Sequence, residues 1–256
     1  MHAMNLSPGL SLVGCLTLSL VLANGGADTS PGPLRVGVSA NLPPMIYKEG
    51  GKLVGLEADF AQALGQELGR PVKLVEVKWD DLIPALVEGR TDIIMSGLSI
   101  TRPRQLRVAF TKPYLSMGQS VLVRRVDADQ YLLGFPTTPS GTIGVLKGTT
   151  GDFLVQQEFS RNKRKEFKSP LEAAKALEKK QIDLLICDSP IVCWLAGINE
   201  AEGLAALPVL LTEEWLAWAV RKSDTDLLAA VNTALEKLQR DGRAATIVKR
   251  WMPLFK

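Results

Sequence analysis

Apolar residues follow two alternating patterns from residue 34 onward. Short continuous apolar runs are typical of buried strands, whereas apolar residues three or four apart are typical of amphipathic helices. The runs predict strands at residues 34–39, 72–77, 92–95, 119–124, 142–146, 166–168, 183–187 and 215–220. The spaced pattern predicts helices at residues 57–68, 80–88, 152–159, 170–177, 224–240 and 242–251. This alternation predicts an α/β fold built on parallel sheets.

One helix-turn-strand unit occurs twice. Residues 82–97 (LIPALVEGRTDIIMSG) align without a gap with residues 173–188 (AAKALEKKQIDLLICD), and Gly97 falls on Asp188. Helix-turn-strand units resemble one another in general, but this match indicates two βαβαβ lobes. Ligands of open parallel sheets bind beyond the carboxyl ends of the strands, so a ligand cleft is expected where the two lobes face each other.

The repeat also predicts how the chain divides. We expect the chain to cross between the lobes near residues 121–124 and 210–214, which makes a two-segment hinge. The predicted lobes are residues 34–121 together with 213–256, and residues 125–210.

The N-terminal residues differ in composition from the rest. Residues 1–27 contain no Lys, Arg or Glu, and residues 10–23 form an almost wholly apolar stretch that is too short to span a membrane. This pattern predicts a secretory signal peptide and a periplasmic location, although a basic n-region is missing. The alternative is a lipobox at residues 12–15, which would lipidate Cys15. Export alone is favoured because few apolar residues precede Cys15 and several follow it.

Charge and histidine content exclude several function classes. The net charge of 30 − 27 = +3 is too small to favour nucleic acid, and the most basic run, residues 161–168, is predicted to be a solvated helix end or loop. His2 is the one histidine of the sequence and lies in the predicted leader. Ser-His and Cys-His catalysis and histidine-based metal sites are therefore excluded, and we expect no metal and no cofactor.

Two cysteines follow the leader, Cys187 and Cys193. Their spacing fits neither a zinc ligand pair nor a redox CxxC motif. Because one ends a predicted strand and the other lies on the following helix, we expect two buried, unbridged thiols. A disulfide between them stays open at this point.

A strand end rich in small polar residues predicts an anion-binding corner. The strand at residues 92–95 is followed by Gly97 and Ser99, which offer backbone N–H groups and a hydroxyl at one point in space. Arg104 adds a planar, permanently charged fork suited to a carboxylate or phosphate. The alternative is that Arg104 lies on a solvated helical face.

Two further features of the second lobe fit the same cleft. Thr149 and Thr150 open a predicted helix, whose free N–H groups favour an anion, although the loop lacks the GK[ST] ending of a Walker motif. Asp188, at the mirrored position, would hold a cation, unless it is a plain helix N-cap. Opposite charges on facing lobes suit a zwitterion, because only a ligand in the closed cleft contacts both.

Six segments in this order resemble a known family. They are VGVSANLPPM, GKLVGLEADFAQALGQELG, GLSITRPRQLRVAFTKPY, IGVLKGTTGDF, DLLICDSP and the C-terminal segment that begins EEWLAWAV. Together they are similar to the periplasmic solute-binding proteins for polar amino acids (family 3), the receptors of ABC importers. The resemblance covers residues 34–252. It implies a type II periplasmic-binding fold, in which two α/β lobes with a two-segment hinge close on the ligand in a central cleft.

The resemblance also implies a function and residue roles. A monomer would bind an L-α-amino acid and deliver it to ABC permease subunits. Arg104 matches the arginine that binds the ligand carboxylate, and Ser99 and Thr150 match hydroxyl positions beside it. Asp188 matches the acid that takes the α-amino group, and Gly97 matches a backbone contact.

Two departures from the family pattern bear on the ligand. Leu42 occupies the position of an aromatic ring that stacks on the ligand side chain in many members, and Ser39 occupies the position of a carboxylate in binders of cationic amino acids. The sequence therefore favours an uncharged or acidic amino acid. Lys147 could approach a ligand carboxylate or lie in solvent.

Two other functions stay open. Relatives on this fold include cyclohexadienyl or arogenate dehydratases, which would need a positioned acid. Glu57 and Asp59 are the nearest acids by motif, but they open a predicted helix and fit charge complementation of its N-terminus. A ligand-sensing module is the third possibility, and it would need a separate signalling partner.

Overall fold

The computed structural model describes Met1 and residues 32–131, 135–136 and 139–253. The predicted export segment, including Cys15, lies outside this part of the chain except for Met1. The strands are β1 Leu34–Val38, β2 Asn41–Leu42, β3 Ile46–Glu49, β4 Lys52–Val54, β5 Val72–Glu76, β6 Ile93–Ile94, β7 Ala109–Phe110, β8 Leu115–Met117, β9 Gln119–Arg124, β10 Thr142–Leu146, β11 Lys163–Phe167, β12 Leu184–Asp188, β13 Leu204–Ala206, β14 Glu214–Leu216 and β15 Ala219–Val220. The helices are α1 Leu56–Leu68, α2 Leu82–Val87, α3 Arg102–Gln105, α4 Thr150–Glu158, α5 Pro170–Glu178, α6 Ser189–Ile198, α7 Thr225–Arg240 and α8 Arg243–Trp251, with 3-10 turns at Trp79–Asp81 and Arg125–Tyr131.

The first lobe is built on a five-stranded sheet in the order β5-β1-β6-β15-β7. β1 pairs in parallel with β5 and β6, whereas β15 runs antiparallel to β6 and β7. The sheet is therefore mixed, and the expectation of a purely parallel sheet is wrong at this edge. Helices α1, α7 and α8 pack together, and Phe60 and Trp218 are fully buried in the core.

The second lobe repeats this architecture in the order β11-β10-β12-β9-β13. β10 is parallel to β11 and β12, and β9 is antiparallel to β12 and β13, so this sheet is mixed as well. The basic run at residues 161–168 was predicted as a helix end or loop, with a short strand at residues 166–168, and it contains the longer edge strand β11. Four of the five β11 residues are exposed, and charged side chains on an edge strand discourage pairing with another chain.

The chain connects the two lobes through a small antiparallel sheet of β8 and β14. The predicted single strand at residues 215–220 is split into β14 and β15, because its two ends belong to different sheets. Strand β9 lies in the second sheet. Two α/β lobes with two connecting segments are as predicted from the sequence, whereas the exact residue limits of each lobe stay a prediction.

Side chains also contact each other across the cleft. Trp79 Nε1 donates to the Gly148 carbonyl at 3.1 Å, and Asn41 Nδ2 donates to the Lys168 carbonyl at 2.6 Å. On a third part of the rim, the ring centroids of Tyr47 and Trp194 lie 6.1 Å apart. These contacts join the two lobes around the residues described next. Among the described helices, none combines the length and apolar character needed to cross a membrane.

Candidate functional site

A cavity lies between the lobes, at the carboxyl ends of strands β6 and β12. Seven of the eight residues predicted for the site line it: Leu42, Gly97, Ser99, Arg104, Thr149, Thr150 and Asp188. Trp79, Leu146, Cys187 and Ile191 complete the wall. The eighth predicted residue, Ser39, is buried but lines an adjoining groove instead.

Arg104 places its guanidinium in the cavity. Short helix α3, whose N-cap is Thr101, carries the residue, and Arg104 Nη1 donates to the Ser99 carbonyl at 2.9 Å. Among the described residues this is the single hydrogen bond of the guanidinium, so further N–H donors of the fork can meet an anion. Burial lowers the pKa of Arg104, and the charges of Asp188 and Glu214 oppose this shift. The side chain is therefore not on a solvated face.

Asp188 ends strand β12 on the opposite wall. It occupies the N-cap position of α6, but its side chain forms no capping hydrogen bond, so the N-cap alternative does not account for it. Its Oδ1 accepts from Gln119 Nε2 at 2.7 Å. Burial raises the pKa of Asp188 to about 6. The charge of Glu214 contributes to the increase, whereas Gln119 and Arg104 oppose it.

Gln119 and Glu214 form a polar network behind the cavity that the sequence does not predict. Gln119 Nε2 lies 3.0 Å from both Thr150 Oγ1 and Glu214 Oε1, and Glu214 Oε1 also accepts from Thr212 Oγ1 at 2.9 Å. Within the described chain, Gln119 Oε1 and Glu214 Oε2 are buried without a hydrogen-bond partner. Gln119 pairs directly with Asp188 across β9 and β12, a pairing that the sequence does not reveal.

Trp79 is a third residue of the site that the sequence did not reveal. The guanidinium carbon of Arg104 lies 5.6 Å from its ring centroid, a cation–π distance. The same ring lines both the cavity and the groove beyond it. Leu42 was recognised as the replacement of an aromatic ring, and the structure supplies an aromatic surface from Trp79 instead. An isolated tryptophan between a strand and a helix was the available signal.

Thr149 and Thr150 differ in how their hydroxyls are used. Thr149 is the N-cap of α4, where its Oγ1 accepts from Asp152 N at 3.3 Å and donates to the Leu146 carbonyl at 2.7 Å. Its hydroxyl is thus committed to local structure. Thr150 Oγ1 accepts from Gln119 and faces the cavity, so Thr150 is the residue of the pair with a hydroxyl proton to offer.

The adjoining groove continues from the cavity past Leu42 and Trp79. Ser39 lies there, with its Oγ 3.1 Å from Asn41 Oδ1. The charged residues of the groove are Glu76, Lys78, Asp80, Lys147 and Lys168. Lysines thus outnumber acids three to two, and Glu76 is itself paired with Lys48 at 2.6 Å.

Neither acid considered for dehydratase chemistry lines the cavity. Asp59 Oδ2 accepts from Trp251 Nε1 at 2.8 Å and from Arg250 at 3.0 Å. Glu57 lies in the first turn of α1, as predicted, but it is fully buried and accepts hydrogen bonds within the first lobe.

The structure also shows the state of the two cysteines and whether potential metal ligands cluster. Cys187 and Cys193 are both free thiols. Cys187 is buried as expected, whereas Cys193 is exposed, which corrects the expectation of two buried thiols. Among the residues that the structure describes, no group of three or more His, Cys, Asp and Glu side chains is arranged to hold a metal ion.

Comparisons with known proteins point to one family. The sequence model of the bacterial extracellular solute-binding proteins, family 3, matches residues 34–254. A probable histidine-binding protein of Neisseria gonorrhoeae is 30% identical over 254 residues, which cover 93% of this chain and 92% of that protein. The L-arginine-binding protein of Pseudomonas aeruginosa is also 30% identical over 254 residues, with 94% and 95% covered.

A solved structure supports the same fold. The crystal structure of an ancestral amino acid-binding protein, described as a precursor of cyclohexadienyl dehydratase, is 33% identical and has a TM-score of 0.78. The likeness covers 86% of this chain and 95% of that one. Together with the two mixed sheets and their double connection, it confirms the predicted type II periplasmic-binding fold.

Proposed function

Because the chain belongs to the bacterial extracellular solute-binding proteins, family 3, we propose that it captures an L-α-amino acid outside the cytoplasm and delivers it to an ABC permease. The observation that carries the proposal is the placement of Arg104 and Asp188 on opposite walls of one cavity. Each group matches one pole of an α-amino acid. Ligand binding outside the cytoplasm requires export, for which residues 1–27 are the proposed signal peptide.

The proposed mechanism is capture by two opposite charges. Arg104 takes the ligand carboxylate through its free N–H donors, assisted by the Thr150 hydroxyl and by Ser99. Asp188 takes the α-ammonium, and Gly97 supplies backbone contact. Closure of the lobes then removes these ion pairs from water, which strengthens them. Because only the closed cleft offers both partners, the ligand shifts the lobes toward closure.

For the ligand side chain, we propose an uncharged or acidic amino acid. The groove beyond Leu42 and Trp79 presents Ser39 and Asn41, which are neutral, together with more lysines than acids. Trp79 offers a flat apolar surface along the way. The competing proposal is a cationic amino acid, since Glu214 adds a second acid near Asp188 and relatives are named for histidine and arginine binding.

A thermal-shift screen against the twenty L-amino acids tests both proposals. A ligand that binds the folded state alone raises the melting temperature by mass action. The largest shift with an uncharged or acidic amino acid supports the first proposal, and the largest shift with arginine, lysine or histidine supports the second. If none of the twenty gives a shift, amino-acid capture is contradicted.

Two substitutions test the charge assignment. Arg104→Ala and Asp188→Ala should each weaken binding of the amino acid found in the screen by about 30-fold or more, because each leaves a buried charge of the ligand without its partner. Isothermal titration calorimetry measures the loss, and far-UV circular dichroism checks the fold. Wild-type affinity in either variant would show that the residue has no part in binding.

We further propose that the protein is a monomeric binding protein and not an enzyme. Glu57 and Asp59, the acids considered for dehydratase chemistry, bond elsewhere in the first lobe. Incubation with arogenate or prephenate tests this, and turnover would contradict it. Capture of a sensor protein instead of permease subunits would favour the signalling alternative. The mass of the mature N-terminus distinguishes signal-peptide cleavage from lipidation at Cys15.

A further inference from the structure

Each lobe contains a buried carboxylate that binds the backbone of a ligand-facing loop. In the first lobe, Glu57 Oε1 accepts from the N–H of Gly97 at 2.6 Å. In the second lobe, Asp152 Oδ2 accepts from the N–H of Gly148 at 2.9 Å. The exposed fractions of the two acids are 0% and 3%.

The two glycines occupy comparable places, although their strands hold different positions in the two sheets. Gly97 follows strand β6 and Gly148 follows strand β10, and both have left-handed backbones, with φ of +65° and +71°. Each begins the loop that brings hydroxyl residues into the cavity, Ser99 in one lobe and Thr150 in the other. A loop with such a backbone has several accessible conformations when it is not held, because glycine populates both signs of φ.

We propose that Glu57 and Asp152 are positioning residues, which hold these two loops in the conformation that binds the amino acid. The inference rests on the proposed function for its ligand. Neither acid lines the cavity, so each acts through the backbone of its glycine and not by contact with the ligand.

The hydrogen bonds of Glu57 indicate that this side chain does more than stabilise the fold. Besides the N–H of Gly97, Glu57 accepts two more hydrogen bonds. Tyr114 Oη donates to the same Oε1 at 2.7 Å, and Trp218 Nε1 donates to Oε2 at 2.9 Å. All three donors are neutral. Burying a carboxylate whose hydrogen-bond donors are all neutral lowers the free energy of unfolding. An apolar side chain of similar size would commonly stabilise a core more.

The same bonds tie the loop to the connection between the lobes. Tyr114 directly precedes strand β8, and Trp218 lies two residues after strand β14. These two strands form the antiparallel sheet that joins the lobes. Glu57 therefore fixes the Gly97 loop relative to both connecting segments, so the loop keeps its place while the cleft opens and closes.

Asp152 holds the second loop in a comparable way. Its Oδ1 accepts from Gln156 Nε2 at 3.1 Å and from Arg164 Nη1, which lies on the edge strand β11. The loop that starts at Gly148 is thereby tied to helix α4 and to the outer edge of the sheet. An added Cβ at Gly148 would lie 3.1 Å from Asp80 Oδ1, so the loop also approaches the first lobe closely.

The test begins with Glu57→Gln. Glutamine keeps the shape but has one acceptor end and one donor end, so either orientation of its amide opposes an N–H of Gly97 or Trp218. We expect the affinity for the amino acid with the largest thermal shift to fall about tenfold or more, with the fold retained. Glu67→Gln, on the same helix α1 but in a surface ion pair with Lys237, is the matched control and should keep wild-type affinity.

The second measurement is the chemical shift of the Gly97 amide proton. A purely structural role of Glu57 would leave this chemical shift unchanged. A short bond to a carboxylate shifts an amide proton downfield, and Glu57→Gln should shift it back upfield. Labelling with 13C′-serine and 15N-glycine reduces the spectrum to two signals, because the dipeptide Ser-Gly occurs at residues 96–97 and 140–141 alone.

Tyr114→Phe separates positioning from general stability. It removes one of the two anchors of Glu57 but leaves the bonds to Trp218 and Gly97, so the melting temperature should fall while affinity falls by about threefold at most, clearly less than in Glu57→Gln. The proposal is overturned if Glu57→Gln loses the downfield Gly97 signal yet binds with wild-type affinity. It is equally overturned if Tyr114→Phe weakens binding as much as Glu57→Gln does.

Asp152→Asn provides an independent test in the second lobe. If Glu57→Gln fails to fold, Asp152→Asn decides the question, and undiminished affinity in it contradicts the proposal. Should the wild-type protein bind none of the twenty amino acids, the proposed function fails by itself. The positioning role is then judged by amide hydrogen exchange at Gly97 and Ser99, and unchanged exchange in Glu57→Gln overturns it.

Discussion

Asp188 is the residue whose chemistry most depends on its surroundings. Burial raises its pKa to about 6, so the ligand-free protein resists the charge that binding needs. Because the folded pKa is above that of an unfolded aspartate, ionisation of Asp188 reduces folding stability as the pH rises through 6. In the proposed binding mode, the α-ammonium group of the ligand offsets this penalty. The shifted pKa of Asp188 would then lower the stability of the ligand-free protein and favour binding, as shifted pKa values at functional sites commonly do.

The raised pKa of Asp188 predicts a pH-dependent affinity. From about pH 6.5 to 8 the carboxylate is ionised and the dissociation constant should be flat. Below about pH 6 the ligand-free protein holds a proton that binding must displace, so affinity should fall about tenfold per pH unit. Calorimetric titration from pH 4.5 to 8 measures this. Asp188→Asn should show weak, pH-independent binding, and constant wild-type affinity down to pH 5 would contradict the assignment.

Glu214 should determine the pH below which the affinity falls. Its negative charge contributes to the raised pKa of Asp188, so Glu214→Gln should lower this pKa and move the loss of affinity to lower pH. The relevant comparison is the ratio of affinities at pH 5 and pH 7.5, which should be closer to one in the variant. Glu213→Gln, at the exposed neighbouring position, is the matched control. An unchanged pH profile in Glu214→Gln would show that the two acids do not interact.

The elements differ in how well the sequence predicted them. The three parallel strands of each sheet were found, because a short apolar run followed by an amphipathic helix is a local signal. The antiparallel arrangement of β9 and β15 was not found, since each pairs with residues distant in sequence. Edge strand β11 was predicted only in part, at residues 166–168, because its charged sequence, KRKEF, carries no apolar alternation.

The residues of the site also differ in how well the sequence predicted them. Arg104 and Asp188 lie in segments with a recognisable order, so their shared cavity could be predicted from motif positions. Trp79 and Gln119 lie between the motifs, whereas Glu214 lies inside the C-terminal one. Trp79 lines the cavity, and Gln119 links Glu214 to Asp188 through contacts that only the fold creates. Sequence reasoning therefore identified the two oppositely charged cavity groups that we propose for the ligand poles, but not the polar groups that contact them.

Two helical glycines give a prediction at the level of packing between elements. An added Cβ at Gly65 of α1 would lie 2.4 Å from Val72 Cγ2 and 2.8 Å from the Arg70 carbonyl. Gly65→Ala should therefore lower the free energy of unfolding by about 1–3 kcal/mol. At Gly197 of α6 an added Cβ has no neighbour within 4 Å, so Gly197→Ala should raise it by up to about 1 kcal/mol. Urea unfolding distinguishes the two, and equal effects would contradict the packing argument.

At the scale of the whole molecule, the lobes contact each other outside the ligand cavity as well. The bonds of Trp79 to Gly148 and of Asn41 to Lys168 join the two sides of the cleft, and Tyr47 packs near Trp194 on the rim. In the proposed mechanism, such contacts favour closure whether or not a ligand is present. Affinity would therefore depend on the closing equilibrium as well as on the charged groups.

The aromatic contact at the rim should strengthen binding without touching the ligand. Trp194→Ala removes the interaction with Tyr47, so the closed state is less favoured and affinity should fall about two- to tenfold. Stopped-flow measurement should place most of the change in a faster dissociation rate. Ile198→Ala, an exposed apolar position on the same helix α6, should leave both quantities unchanged. An equal loss in the two variants would remove the rim contact as the cause.

The positions of the tryptophan side chains provide an intrinsic fluorescence signal for opening and closing of the cleft. Of the five tryptophans, Trp218 is sealed in the first lobe, whereas Trp79 and Trp194 stand where the two halves meet. When the halves separate, these two chromophores pass into water and their emission changes, while Trp218 stays a constant reference. Uptake of a cargo molecule can therefore be followed in real time by ultraviolet excitation, without attaching a dye.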